Sequence, residues 1–568
     1  TNKALNAVST GETALDPTTL NSLSTNGTEN DKNHIIVAQL ISTLSSNWIN
    51  EFRGQWAYEE RPRIPNELVA NVNTSIGTYG TRNFLPTTQF DKRIQFADSL
   101  TYLKGAHTFK FGGEYSRIRA EQTFGFNQTG VFTFSGLSST TAILDALGVT
   151  RTATFRGRFD TTTARYNRQV GNLAAGFGVQ ELAAFAQDSW RVNNKLTVNL
   201  GLRFEKQYNP QAEANNDPVL TLIKNTSFPM LGGKGIDPAN IPDSQNEWGP
   251  RVGFAYDPWG NGKTVIRAFA GRYFARTPLI VLAAPYNNFR DPAGDLSVTL
   301  GSPAFSAAGF NQASFDAANP QYVSIMGGTG FTPNTVYRQF AILGIDLNTS
   351  SLSNLPILSS TQMAAVQTAI LAATTNPPAN LGIFQGANFI GIAPNFKNPE
   401  SFQFGFGVEH QLTSKFTFGI DYSQVNTIHL QRNRDINLPA PTGVDPVTGR
   451  VLVNRNNRPL RGIGSLQMRD SSARSLYRAL TFRANYKQKW MRVNMYYTLS
   501  RSLSDDDNER DSGGVLYSNP YDLRGEYYNS RLDRRHQFVA NPIFFLPWDF
   551  EVSSAIRLRS GSPIDARV

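Results

Sequence analysis

Residues 182–207 read LAAFAQDSWRVNNKLTVNLGLRFEKQ. The second half alternates: Leu196, Val198, Leu200, Leu202 and Phe204 are apolar, and Thr197, Asn199, Gly201, Arg203 and Glu205 lie between them. A period of two puts one kind of side chain on each face of a strand. The first half ends in Trp190, beside the turn VNN, so the stretch is a hairpin with Trp near its tip. Its apolar face rests either on a protein core or on lipid, and the rest of the chain decides which.

The same unit recurs along the chain. HIIVAQLISTL (34–44) turns at SSN into WINEFRGQWAYEE (48–60), and 89–103 turns at KGA into HTFKFGGEYSRIR. Residues 248–257 turn at PWGNG into KTVIRAFAGRYF, 401–412 at TS into KFTFGIDYSQV, and 476–487 at QK into WMRVNMYYTLS. The last, 534–545, turns at LPW into DFEVSSAIRLRS. With the opening unit these are seven hairpins, which predicts fourteen strands. The hairpins are joined by long polar connections rich in Asn, Gly, Pro, Ser and Thr, at 61–88, 209–247, 275–400, 428–475 and 501–533. Short and long connections therefore alternate. A soluble β-sandwich has no reason to send its long loops to one end, whereas an outer-membrane barrel has short periplasmic turns and long outer loops. Loops of this length are uncommon in compact soluble domains unless they carry function.

Composition agrees. Charged residues make up 17% of the 568 residues, below the roughly 25% of a soluble domain, and aromatics reach 11%. Mean hydropathy is −0.33, and no apolar run approaches the ~20 residues of a membrane helix. Five of the seven Trp (Trp48, Trp190, Trp259, Trp490 and Trp548) lie in or beside a short turn, where a membrane-interface girdle would place them. In 401–423 the apolar set Phe402, Phe404, Phe406, Val408 and Phe416, Phe418, Ile420, Tyr422 again shares one side. Strands in lipid must pair every backbone N–H, so they close into a ring with the polar face turned to a wet lumen. The expected fold is all-β, a transmembrane antiparallel barrel. Its lumen-facing candidates are Lys110, Glu114, Arg203, Glu205, Arg251, Asp257, Arg483 and Lys487. Two stretches read as short loop helices instead: SSTTAILDALGV at 138–149 and TQMAAVQTAILAAT at 361–374.

Covalent chemistry finds little support. Cysteine is absent, which excludes disulfides and thiolate sites. His34, His107, His410, His429 and His536 show no metal-ligand spacing, and no nucleophile elbow or phosphate loop appears. A Ser–His pair in the wall would have to use His410 or His536; rim histidines explain them more simply. No cofactor is expected, apart from an alternating acidic run, Asp505, Asp507, Glu509 and Asp511, whose oxygens could gather Ca²⁺ if the loop curled. The net charge of +10 is dispersed singly rather than gathered in a patch, which argues against nucleic acid.

Several stretches together carry a family likeness. GAHTFKFGGEY (105–115), FAQDSWRVNNKLTVNLGLRFE (185–205) and WGPRVGFAYDPWGNGKTVIRAFAGRYF (248–274) are three of them. RALTFRANYKQKW with YYTLSRSLSDDD, and LDRRHQFVANPIFFLPW with RLRSGSPI, are the others. They resemble the barrel of TonB-dependent outer-membrane receptors of the Oar-like group. The resemblance implies a 22-stranded cylinder in the bacterial outer membrane, plugged by an N-terminal domain that follows a TonB box. It implies that residues 1–568 are one partial barrel domain, with plug, TonB box and C-terminal strands not present. It also implies lipid as surroundings, a solute of unknown identity bound by the outer loops, and energy from the TonB complex acting through the plug. An adhesion or scaffold barrel without transport is the alternative, and a secreted β-rich glycan-binding or glycan-cleaving protein is a second one. On this reading the sheet should be open between 34–44 and 549–560.

Overall fold

The computed structural model describes residues 2–5, 20–75, 77–123, 125–134, 141, 144, 164–213, 218–301, 309–349, 355–507 and 517–564. Its main body is an up-and-down meander. In chain order the strands are β1 (Gly27–Thr43), β2 (Trp48–Glu60), β3 (Thr88–Lys104), β4 (His107–Thr123), β5 (Ala174–Arg191), β6 (Leu196–Tyr208) and β7 (Glu247–Tyr256). They continue as β8 (Thr264–Phe274), β9 (Glu400–Thr413), β10 (Phe416–Asp435), β11 (Leu466–Lys487), β12 (Met491–Ser504) and β13 (His536–Phe545). The last strand, β14, is split into Glu551–Ser553 and Ile556–Arg559. Each pairs antiparallel with the next. Among the described residues, no ladder joins β1 to β14, so the sheet is open there as expected.

The register fixes the two faces. Trp48, Tyr102, Phe109, Asp188 and Leu200 are consecutive cross-strand partners, so they share the outer face. Glu114, Ala183, Glu205 and Glu247 form a row on the opposite, inner face. The edge β14 alternates cleanly, with Val552, Ile556 and Leu558 outward and Glu551, Arg557 and Arg559 inward. The edge β1 does not: Ile36 and Leu40 face outward, but Ile35, Val37 and Ile41 face inward and are exposed as well.

Two inner-face phenylalanines lie where a glycine sits across the ladder. Phe185 faces Gly112 and Phe269 faces Gly405, and a Cβ at either glycine would come within 2.5 Å of the ring. The missing side chain is the space in which each ring lies flat against the neighbouring strand.

Where they are described, the outer connections fold. With Leu20–Asn21, which precedes β1, they build a second sheet from Gly77–Tyr79, Asn71–Thr74, Val131–Phe134, Ala164–Val170, Leu296–Leu300 and Ala387–Ile392. The last strand runs parallel to the start of β11, which ties this outer cap to the wall. Helices pack on the sheet, and Phe132, Tyr166, Leu296, Phe340, Val366 and Phe389 lie in one enclosed core. The helix expected near 361–374 is present as Ser360–Ala372. It begins with a capping box in which Ser359 and Gln362 satisfy each other's backbone N–H groups. The helix expected at 138–149 falls outside the described residues except for Thr141 and Leu144.

One boundary needs correction. Residues 428–475 are not all connection: β10 runs on to Asp435 and β11 starts at Leu466, with register shifts near Leu430 and Arg432. This hairpin climbs past the lipid level and enters the cap, where burial on both sides replaces simple alternation.

Candidate functional site: the lumen wall and the outer cap

The inner face carries a paired set of charges. Glu114 accepts from the Gln95 amide and lies 3.9 Å from Arg203, which also holds Glu205 at 2.9 Å. Arg483 grips Asp421 at 2.6 and 3.0 Å and reaches Glu409 at 3.3 Å. Arg251 stacks over the Tyr273 ring, 4.4 Å from its centre. Lys110 shares the inner face beside Gln187 and Thr101, and Lys487 sits exposed where β11 meets its turn.

Asp257 is a correction: it is not on the wall. It follows β7 in the short turn, where its carboxylate accepts from the N–H groups of Gly262 at 2.7 Å and Gly260 at 2.9 Å. Those donors hold its carboxyl below the usual carboxylate range. Both glycines adopt positive φ, which presents their N–H groups to one side chain.

Of the acidic run, Asp505 and Asp507 lie among the described residues. Asp505 is held by Arg432 at 2.7 Å and by Arg474 at 3.6 Å, and Asp507 accepts from the Arg531 N–H at 2.8 Å. Asp505 therefore faces guanidinium groups, with Arg432 only 1% exposed, and is not an open cation ligand. Glu509 and Asp511 lie outside the described residues.

Inner-face residues that the alternation did not reveal include Arg93, Glu181, Gln207 and Glu247, with Arg276 at the mouth ion-paired to Glu181 at 3.1 Å. In its mouth-side half the inner face of β5 is otherwise apolar (Ala175, Phe177, Val179, Ala183), because a cap helix, Leu279–Phe289, enters the mouth and packs on it. The Phe177 and Tyr286 rings meet there at 5.2 Å. Between this helix, the wall and the cap sheet lies a cleft of about 560 Å³, lined by Gln122, Phe126, Gln169, Asp295, Gln467 and Arg469 among others. Burial pushes the Asp295 carboxyl up to about 7, against the opposing pull of Arg469.

On the outside, Trp48 stacks on Tyr102 at 4.1 Å, and Trp190 stacks on His107 at 5.3 Å. Trp490 stacks on Phe544, and Trp259 and Trp548 stand exposed in their turns. All five lie at the short-turn end. Within the apolar band two carboxylates face outward: Asp188, bonded to His107 at 2.7 Å, and Asp98, bonded to Asn50 at 2.9 Å.

An open meander with an oily exterior, a paired polar interior and folded outer loops defines a class, the bacterial outer-membrane β-barrels. A family profile described as "Outer membrane beta barrel domain" matches residues 4–552, and the chain belongs to that family. Over 221 residues it is 27% identical to the TonB-dependent transporter Oar of Myxococcus xanthus, which matches the resemblance read from the sequence. That match spans 38% of this chain and 17% of the relative's length. Among solved structures, the outer membrane transporter YddB of Escherichia coli aligns with 92% of this chain and 49% of its own, at 9% identity and TM-score 0.48. The siderophore receptor PirA of Acinetobacter baumannii aligns with 94% and 52%, at 9% identity and TM-score 0.42. The family and the named relative are barrels and a transporter, not enzymes.

Proposed function

We propose that this barrel takes up a solute at its outer mouth and passes it to the periplasm, with energy delivered by the TonB complex. The observation that carries the reading is the amphipathic cleft under the cap. Gln122 of the wall bounds it on one side and the cap residues Gln169, Asp295 and Arg469 on the other, so a ligand held there already touches the lumen wall. The lumen-facing pairs Glu114–Arg203 and Asp421–Arg483 then offer polar contacts along the way. The name of the Myxococcus xanthus relative supports the coupling to TonB. No observation favours the scaffold alternative, which needs no cleft facing inward. The test is accumulation of labelled solutes by cells making the full-length protein, before and after the proton gradient is dissipated. Energised transport predicts accumulation that collapses with the gradient. Accumulation that persists unchanged would instead mean a passive pore.

A further inference from the structure

On the outer face, five strands turn basic at a similar height. Moving away from the short turn, the first charged outward residue is Arg117 on β4, Lys206 on β6, Arg272 on β8, Arg478 on β11 and Arg501 on β12. The last two are direct cross-strand partners. Like charges directly opposite each other repel and destabilise a ladder. Of the other three, Arg272 is offset by the Glu400 carboxylate at 2.6 Å, and none of the three stands directly opposite another rim cation. Among the described residues, neither Arg478 nor Arg501 has a carboxylate within ion-pair distance.

Their immediate partners instead hold them ready for an anion. The Arg478 Nε donates to the Gln424 side-chain oxygen at 3.0 Å, and that oxygen also accepts from the Tyr422 hydroxyl at 3.0 Å. The Arg501 Nε donates to the Asn529 side-chain oxygen at 3.3 Å. Both amides spend their acceptors on the Nε groups. What remains pointing outward is a set of donors: two guanidinium ends and two amide N–H₂ groups. A tetrahedral oxyanion satisfies such a set, because each guanidinium can meet it in bidentate fashion.

Height identifies the source of that oxyanion. A barrel strand crosses the hydrocarbon in about 9–11 residues. Arg478 is the ninth residue beyond Lys487, where β11 meets the Trp490 turn, and Arg501 is the tenth beyond Met491. Directly below them on the outer face, Leu480 pairs with Leu499 and Phe482 with Tyr497. The pair therefore stands one hydrocarbon thickness above the periplasmic girdle, with an apolar track beneath it. We propose that Arg478 and Arg501 form a binding site for a phosphorylated lipid of the outer leaflet, the phosphate between the two guanidiniums and an acyl chain along Leu480, Leu499 and Phe482.

The test uses the full-length protein in a neutral maltoside detergent, titrated with a bis-phosphorylated acyl-glucosamine lipid and read by native mass spectrometry. Each basic residue near an anionic lipid is worth about fivefold in affinity, so R478Q/R501Q should weaken binding by about thirtyfold. The dephosphorylated lipid should bind wild type as weakly as the phosphorylated lipid binds this double variant. R272Q, whose charge is already matched by Glu400, should change binding by less than about threefold. If the double variant does not fold, R501Q alone should show the loss of about fivefold. The melting temperature adds a readout with a sign. Without lipid, R478Q should melt higher because the repulsion is gone; with the phosphorylated lipid it should melt lower than wild type. Equal affinity for phosphorylated and dephosphorylated lipid would overturn the proposal. So would competition by millimolar inorganic phosphate alone, since that would mark a free-anion site, or a melting shift of the same sign with and without lipid.

Discussion

The wall and the cap bury apolar side chains in opposite ways. In the wall, Leu200 and Phe402 keep 49% of their surface exposed, yet they sit on strands whose every neighbour is paired. In the cap, Phe340 is 0% exposed and Tyr166 meets it edge-on at 5.2 Å. The wall leaves its oily face for lipid to cover, while the cap, standing in water, must make its own core. The same chain thus solves the same problem with two solvents, and the boundary between the two solutions is the height at which Arg117, Arg478 and Arg501 appear.

The largest effect should come from the cap. Phe340→Ala opens a void in a closed core and should cost about 3–5 kcal/mol. The loss should be local, read as faster amide exchange in Val131–Phe134 and Ala164–Val170 with the β4–β5 ladder unchanged. Exchange that rises equally in the wall would mean that cap and wall are one cooperative unit and that the contrast fails.

The wall should answer to charge rather than to volume. Leu200→Arg, on the outer face of β6, should cost roughly 2–4 kcal/mol if it lies near the bilayer midplane. Asn199→Arg, one residue away on the inner face, should cost far less. Folding titrations into lipid vesicles measure both, and equal costs would show that the outer face does not meet hydrocarbon.

How much of this was legible depends on how local the signal is. The β5–β6 hairpin could be read because alternation and the Trp190 turn lie within 26 residues of sequence. The Ser360–Ala372 helix was legible because Ser359 and Gln362 form its cap three residues apart. The cap sheet was not, since Asn71–Thr74 pairs parallel with Val131–Phe134, and short strands buried on both sides carry no alternation. The Leu279–Phe289 helix hid behind its internal Pro285 and its lack of one apolar stripe. Asp257 looked like a wall residue because it follows β7 in phase, and only the folded turn shows its acceptors taken. Asp505 looked like a cation ligand because its partner Arg432 is 73 residues away in sequence.

A smaller effect concerns pH, and it separates the cap from the wall again. The Asp295 carboxyl is raised to about 7 by burial, so the folded cap holds a proton that the unfolded chain releases at an ordinary carboxylate pKa. Stability from this group is present below the unfolded value and is lost as the pH climbs through about 7. Cap protection measured by exchange should therefore fall between pH 5 and pH 8, and Asp295→Asn should flatten that fall. An unchanged slope in the variant would assign the dependence to another group.

The most direct test of the central contrast is the depth of tryptophan. All seven tryptophans lie on wall strands or their short turns, and none lies in the cap. Single-Trp versions of the full-length protein, placed in vesicles of lipids brominated at stepped depths, report where each indole sits. Trp48, Trp190 and Trp490 should be quenched at one common shallow level, and a tryptophan introduced by Phe52→Trp, on the outer face of β2 midway between Trp48 and the outer rim, should be quenched at a deeper one. Widely scattered depths for the first three, or no quenching at all, would contradict a wall whose outer face is covered by lipid.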